Sequence, residues 1–123
     1  MALSQASDNL KDEQIDLVLA DVSTLSHSHI KADTVLTNPP FGTKNKGIDL
    51  IFLKFACSIA NVVYTLHKST TRDFILNKGA EFGMTGVVIA QMKFDLPKSY
   101  KMHKNVNKVV LVDLIRFEKV RLA

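Results

Sequence analysis

The chain has 123 residues, 46% of them hydrophobic and 23% charged, which is enough for one folded domain and argues against a disordered chain. Lys and Arg total 16 against 12 for Asp and Glu, a mild basic bias compatible with a polyanionic partner or with an ordinary solvated surface. The single cysteine, Cys57, excludes an internal disulfide, and no Cys and His cluster has metal-site spacing, so no metal is expected.

Cys57 lies in an apolar run, where a buried and inert thiol is expected. No apolar stretch is long enough to cross a bilayer, and the N-terminus has no basic segment followed by an apolar one. These patterns predict an intracellular protein in a reducing compartment, with no membrane partner.

The chain divides into a poorly patterned polar segment, residues 1–14, and an alternation of strands and helices over residues 15–123. Capping residues mark the helix ends: Asp49 is expected to cap the first helix, Ser69 or Thr70 the second, and Gly83 to end the second. The predicted strands are 15–22, 33–37, 61–66, 86–93 and 108–117, and the predicted helices are 50–60 and about 70–82.

Helices placed between apolar strands predict an α/β fold with a mostly parallel sheet and right-handed connections. Only a basic loop, residues 96–107, separates the last two strands, so they are expected to be antiparallel neighbours.

One tetrapeptide has the composition and position of a functional site. Asn38, Pro39, Pro40 and Phe41 directly follow an apolar strand, and ligands of open α/β sheets bind at the carboxyl ends of strands. Proline fixes its own φ and restricts the residue before it, so the turn is stiff. The alternative is a plain Asn-Pro turn with no function.

Methylation of an amine explains why these residue types would be wanted. The N6 lone pair of adenine is delocalised into the ring, so the amine is a poor nucleophile. The Asn38 side-chain oxygen and the Pro39 carbonyl could each accept a hydrogen from it and favour a pyramidal nitrogen. Phe41 offers a flat face on which a flipped-out base could stack.

Residues 37–46 resemble the adenine N6-methyltransferase signature. More closely, they are similar to the methyltransferase-like protein five family, which modifies an adenine of small-subunit ribosomal RNA. Residues 63–71, 94–104 and 112–117 are similar to that family's strand-to-helix segment, basic loop and closing strand, in the same order. The resemblance extends from about Ile15 to the end of the chain.

The resemblance implies a Rossmann-like class I methyltransferase sheet and S-adenosyl-L-methionine as cofactor. It assigns Asn38, Pro39, Pro40 and Phe41 to the target adenine, and Asp21 and Asn38 to the cofactor. It further implies an RNA substrate, a small zinc-binding activator protein docked by strand addition, with the strand at 15–22 as the candidate edge, and a location in the nucleus or nucleolus and the cytoplasm.

The family's first two strands, with the glycine-rich turn that approaches the cofactor, have no counterpart here, and no Gly-x-Gly occurs in the chain. The sheet is therefore expected to be incomplete and the chain truncated at its N-terminus. We expect the chain alone to be marginally stable and to bind cofactor weakly or not at all, because apolar sheet edges remain uncovered.

Several basic residues could line the site and contact phosphates, or could simply belong to a solvated surface. His67, beside Lys68 at a strand end, is expected to be structural, since the transfer needs no strong base before the nitrogen is alkylated. A non-catalytic nucleic-acid-binding or partner-binding fragment is the alternative function, and a product that does not fold alone is a third. The candidate phosphate contacts are Lys44, Lys46, Lys68, Lys101, His103 and Lys104.

Overall fold

The computed structural model describes residues 21, 30–39, 47–96 and 108–120. Within these ranges the chain forms four strands, two α-helices and one turn of 3₁₀-helix. The strands are β1 (Ala32–Thr37), β2 (Ala60–Lys68), β3 (Met84–Leu96) and β4 (Lys108–Lys119), and the helices are α1 (Ile48–Ile59) and α2 (Arg72–Glu81), the latter preceded by the 3₁₀ turn Ser69–Thr71.

The four strands form one sheet in the order β1-β2-β4-β3. β1 and β2 are parallel, and β4 runs antiparallel to both of its neighbours, so three strands share a direction and only β4 opposes them. The α/β class and the antiparallel pairing of the last two strands are confirmed, in a mixed sheet whose β1-β2 pair is parallel. The sequence did not indicate that β4 would insert between β2 and β3.

The described core lies on one face of this sheet. Leu53 and Cys57 of α1 and Ile75 of α2 pack against Val63 of β2 and Phe117 of β4, and all five are buried. Successive side chains of a strand point to opposite faces, so the other face carries the alternate residues of the same strands. Its most exposed apolar side chain is Leu36 of β1, at 78%.

Local backbone geometry sets the helix ends. Gly83 follows the end of α2 as expected, and it adopts φ +83°, the left-handed conformation that glycine takes at low cost. The capping predictions for the helix starts were wrong. Gly47, with φ +85°, is the N-cap of α1, and Asp49 lies in the first turn of that helix. Thr71 is the N-cap of α2, because Ser69 and Thr70 belong to the 3₁₀ turn that precedes the helix.

The strands and helices otherwise match the predicted ones, with ends that differ by a few residues. The predicted strand at 15–22 and the segment 1–14 lie outside the described residues, apart from Asp21. None of the described helices is long and apolar enough to cross a membrane.

Candidate methyl-transfer site

The Asn38–Pro39 turn lies at the carboxyl end of β1. Thr37, the last residue of the strand, pairs with Thr65 of β2, which fixes where the turn begins. Asn38 is exposed whereas Pro39 is fully buried. The proline ring thus anchors the turn in the domain and leaves the asparagine side chain accessible to a ligand. Pro40 and Phe41 lie outside the described residues.

A hollow of about 270 Å³ adjoins Asn38 on the sheet face away from α1 and α2. Leu36 and Tyr64 line it from the two parallel strands, and Leu114 lines it from β4. A larger hollow, of about 420 Å³, lies at the amino ends of β1 and β2, between Lys31 and Lys119. Ligands of open α/β sheets bind at the carboxyl ends, so the position of Asn38 marks the candidate site and the larger hollow does not.

A buried carboxylate organises the carboxyl end of β2. Asp113 of β4 is fully buried and accepts two hydrogen bonds from the Arg72 guanidinium, at 2.6 and 2.9 Å, and one from the Ser69 hydroxyl at 2.6 Å. Gln91 of β3 donates to the Ser69 oxygen at 3.1 Å. Hydrogen bonds from Arg72, above all, hold the pKa of the Asp113 carboxyl below its usual value.

This cluster was missed by the sequence reasoning. The available signal was Asp113 in the middle of the otherwise apolar run 109–115, because a buried charge is costly unless it has a partner. The partner, Arg72, is 41 residues away along the chain, so no local pattern identified it. The cluster ties the start of α2 to the centre of the sheet beside the candidate site.

His67 is buried between β2 and α1, at 1% exposure. Its Nε2 shares a 2.7 Å hydrogen bond with the Thr65 hydroxyl, and its Nδ1 lies 3.7 Å from an Asp49 carboxylate oxygen. Burial lowers the pKa of the imidazole, and the nearby Asp49 charge opposes that shift without cancelling it. A ring engaged on both sides in this way is not accessible to a substrate amine, which agrees with the structural role expected for it.

The other predicted site residues are only partly covered by the described ranges. Lys68, the last residue of β2, is half-buried at the same end of the sheet as Asn38, and Asp21 is exposed. The remaining candidate phosphate contacts lie outside the described residues: Lys44, Lys46, Lys101, His103 and Lys104.

Metal binding and the reactivity of the single thiol are two separate questions. Among the described residues, no group of three His, Cys, Asp or Glu side chains could hold a metal ion. Cys57 is buried as expected, and this burial raises its pKa to about 11, so at neutral pH it is an unreactive thiol.

No protein-family model matches the chain. The rRNA N(6)-adenosine-methyltransferase METTL5 of Danio rerio is 49% identical over 106 residues, and the corresponding Drosophila melanogaster protein is 47% identical over 108. These matches cover 84% and 85% of this chain but 51% of each relative, so the chain spans about half the length of the curated relatives it matches.

Among solved structures, PH1948 of Pyrococcus horikoshii, provisionally classed as an RNA methyltransferase, superposes with a TM-score of 0.81 at 31% sequence identity. It matches 98% of this chain, and the matched part is 59% of its own chain. The described sheet therefore corresponds to part of a larger α/β methyltransferase-like domain.

Proposed function

Because the chain is a homologue of the METTL5 rRNA N6-adenosine methyltransferases over most of its own length, we propose that it carries the catalytic part of such an enzyme. The proposed reaction is S-adenosyl-L-methionine-dependent methyl transfer to adenine N6 in ribosomal RNA. The observation that supports it best is the Asn38–Pro39 turn at the carboxyl end of β1, with Pro39 buried and Asn38 exposed.

In this proposal Asn38 and Pro39 orient the target amine. The Asn38 side-chain oxygen and the Pro39 carbonyl each accept a hydrogen bond from one N6 hydrogen, which draws the lone pair out of the ring and aims it at the methyl donor. The backbone of Pro39 moves little because its ring is buried, so the acceptors are in place before charge develops on the nitrogen. Phe41 is proposed to stack on the flipped base.

The chain's own residues supply little for the cofactor. Asp21 and Asn38 are the proposed contacts, and both are exposed polar residues. The glycines at 42, 47, 79, 83 and 86 form no Gly-x-Gly turn, so the close backbone approach to the cofactor is not encoded here. When bound, the cofactor supplies an electrophilic methyl group. We propose that this chain alone binds it weakly.

The RNA is proposed to be held by basic side chains around the carboxyl end of the sheet. Lys68 is placed at this end, and a phosphate contact there positions the strand without reading its sequence. Neither the geometry nor the relatives favour a non-catalytic fragment. The proposed contacts are Lys44, Lys46, Lys68, Lys101, His103 and Lys104.

Two expectations from the family resemblance are retained as proposals. A small zinc-binding activator protein would dock by strand addition at a sheet edge, which would satisfy backbone groups that an open edge leaves unpaired. We also propose a location in the nucleus or nucleolus and the cytoplasm, where ribosomal RNA is made and used.

Substitution of Asn38 tests this function. A hybrid protein is made in which this chain's matched segment replaces the corresponding segment of the Danio rerio relative, so that the domain is complete. Transfer of a labelled methyl group to small-subunit ribosomal RNA is then measured. Asn38→Ala should reduce kcat by about 100-fold or more, the usual effect of removing one preorganised polar contact to a reacting group.

The matched control is Asn61→Ala, because Asn61 is an exposed asparagine at the opposite, amino end of β2. That variant should retain activity. An Asn38→Ala hybrid as active as the unsubstituted one would refute the role of Asn38, and an inactive unsubstituted hybrid would refute the function proposed for this segment.

A further inference from the structure

The carboxyl end of β2 contacts both elements that flank the candidate site. Thr65 pairs through its backbone with Thr37, the residue immediately before Asn38. The Thr65 hydroxyl also bonds His67, whose ring faces Asp49 in the first turn of α1. Residues 65–67 of β2 therefore link the end of β1 to the start of α1.

These two positions are the ends of one connection. Residues 40–46 join Pro39 to Gly47, the N-cap of α1. Pro39 is fixed by its own burial, whereas Gly47 has the conformational freedom of glycine and no side chain to anchor it. The start of α1 is held instead by the first turn of the helix, where Asp49 meets His67.

The His67 side chain is suited to such a role. An imidazole buried to this degree costs free energy unless its nitrogens find partners, and here one nitrogen has the Thr65 hydroxyl and the other faces the Asp49 carboxylate. Asp49 is itself held, because its second oxygen accepts the Leu50 amide at 3.0 Å. Ring, carboxylate and helix turn therefore form one continuous contact from β2 to α1.

We propose that His67 is a positioning residue of the methyl-transfer site, which holds the start of α1 at a fixed distance from the end of β2. The inference rests on the proposed function, because His67 bonds the Thr65 hydroxyl and Thr65 pairs with Thr37, the residue before Asn38. Loss of the His67 contacts would shift the end of β2 and the Asn38 beside it, and slow the transfer. The histidine takes no proton from the substrate.

Hydrogen exchange in the 123-residue chain tests the positioning directly, with no need for activity. The amides of Leu50 and Ile51 donate to the Gly47 carbonyl at 3.1 and 3.2 Å, so they report on the first turn of α1. His67→Phe keeps a ring of similar size and removes both polar contacts. It should speed exchange of these two amides by roughly fivefold, the equivalent of one net hydrogen bond.

The Ala60 amide, which donates to Ala56 at the other end of α1, is the internal control and should change little. Ile75→Val is the control variant, since Ile75 is a buried residue of α2 that should loosen the domain without affecting one helix end selectively. Unchanged exchange at Leu50 and Ile51 in His67→Phe, or an equal increase at Ala60, would overturn the proposal.

The second measurement uses the hybrid protein described above. His67→Phe should lower kcat by about 10-fold to 100-fold, the scale of an ångström-level misplacement, while KM for S-adenosyl-L-methionine stays unchanged. His67→Gln keeps a polar group able to reach Thr65 and should restore part of the rate. An equal loss of rate in Ile75→Val would reduce His67 to a general stability role. If the unsubstituted hybrid is inactive, the proposed function fails while the exchange result still decides the positioning.

Discussion

Replacement of Asp113 by asparagine tests the polar cluster beside the candidate site. The carboxylate is fully buried and accepts three hydrogen bonds, two from Arg72 and one from Ser69. An amide of the same shape carries no charge, and its NH₂ group would face one of the donors. We expect Asp113→Asn to reduce the free energy of unfolding by about 2 kcal/mol. Removal of one partner from a fully buried pair costs about 3–5 kcal/mol, so this value lies below that range.

The smaller value follows from the position of Arg72. Its side chain is 39% exposed, so the guanidinium can turn towards water once the carboxylate is gone, and part of the penalty is recovered. Even so, about 2 kcal/mol is a large share of the roughly 5–15 kcal/mol by which folded domains are stable. Urea unfolding followed by circular dichroism measures the difference. The slope of the free energy of unfolding against urea concentration should be the same in both proteins.

A matched control lies in the same strand. Glu118 of β4 pairs with Arg116 at 3.1 Å, but the two side chains are 57% and 34% exposed. Glu118→Gln makes the same change from acid to amide and should cost less than about 0.5 kcal/mol, as exposed pairs do. Equal and small losses in the two variants would refute the reasoning that burial makes the Asp113 cluster stabilising.

The pH dependence provides a second check on Asp113. Its pKa is lowered in the folded protein, chiefly by the Arg72 hydrogen bonds, so the unfolded chain binds the proton more readily. The stabilisation is therefore present above the ordinary aspartate pKa and is lost as pH falls through the folded value. The difference in stability between the original protein and Asp113→Asn should shrink once the pH is below about 4.

Two further substitutions test packing. Gly79→Ala should destabilise the domain by about 1–3 kcal/mol, because the added Cβ would overlap the buried Phe117 ring. The better helix propensity of alanine is too small to offset this overlap. An unchanged urea midpoint would show that the ring can move. Leu36→Lys should change the free energy of unfolding by less than about 0.5 kcal/mol, because Leu36 is 78% exposed. It should also reduce concentration-dependent light scattering, because it places a charge on the apolar face at an edge strand of the described sheet. Unreduced scattering would show that association proceeds through another surface.

The sequence alone determined the features that depend on local sterics. Two consecutive prolines must end a strand, which placed Asn38 and Pro39 at the carboxyl end of β1, and Gly83 ends α2 because few other residues adopt its positive φ at low cost. The family resemblance followed from motifs of the same local kind, and the relatives confirm it. The roles of the individual site residues stay predictions.

Only the tertiary structure decided which distant side chains meet. Asp113 reaches Arg72 and Ser69 because β4 inserts between β2 and β3, and those partners lie 41 and 44 residues away in sequence. His67 meets Asp49 because α1 packs on one particular face of β2. The hydrophobic pattern of a strand shows that its side chains alternate between the two faces of the sheet. It does not show which strand lies beside it or which helix covers each face, because the packing of the whole domain sets both.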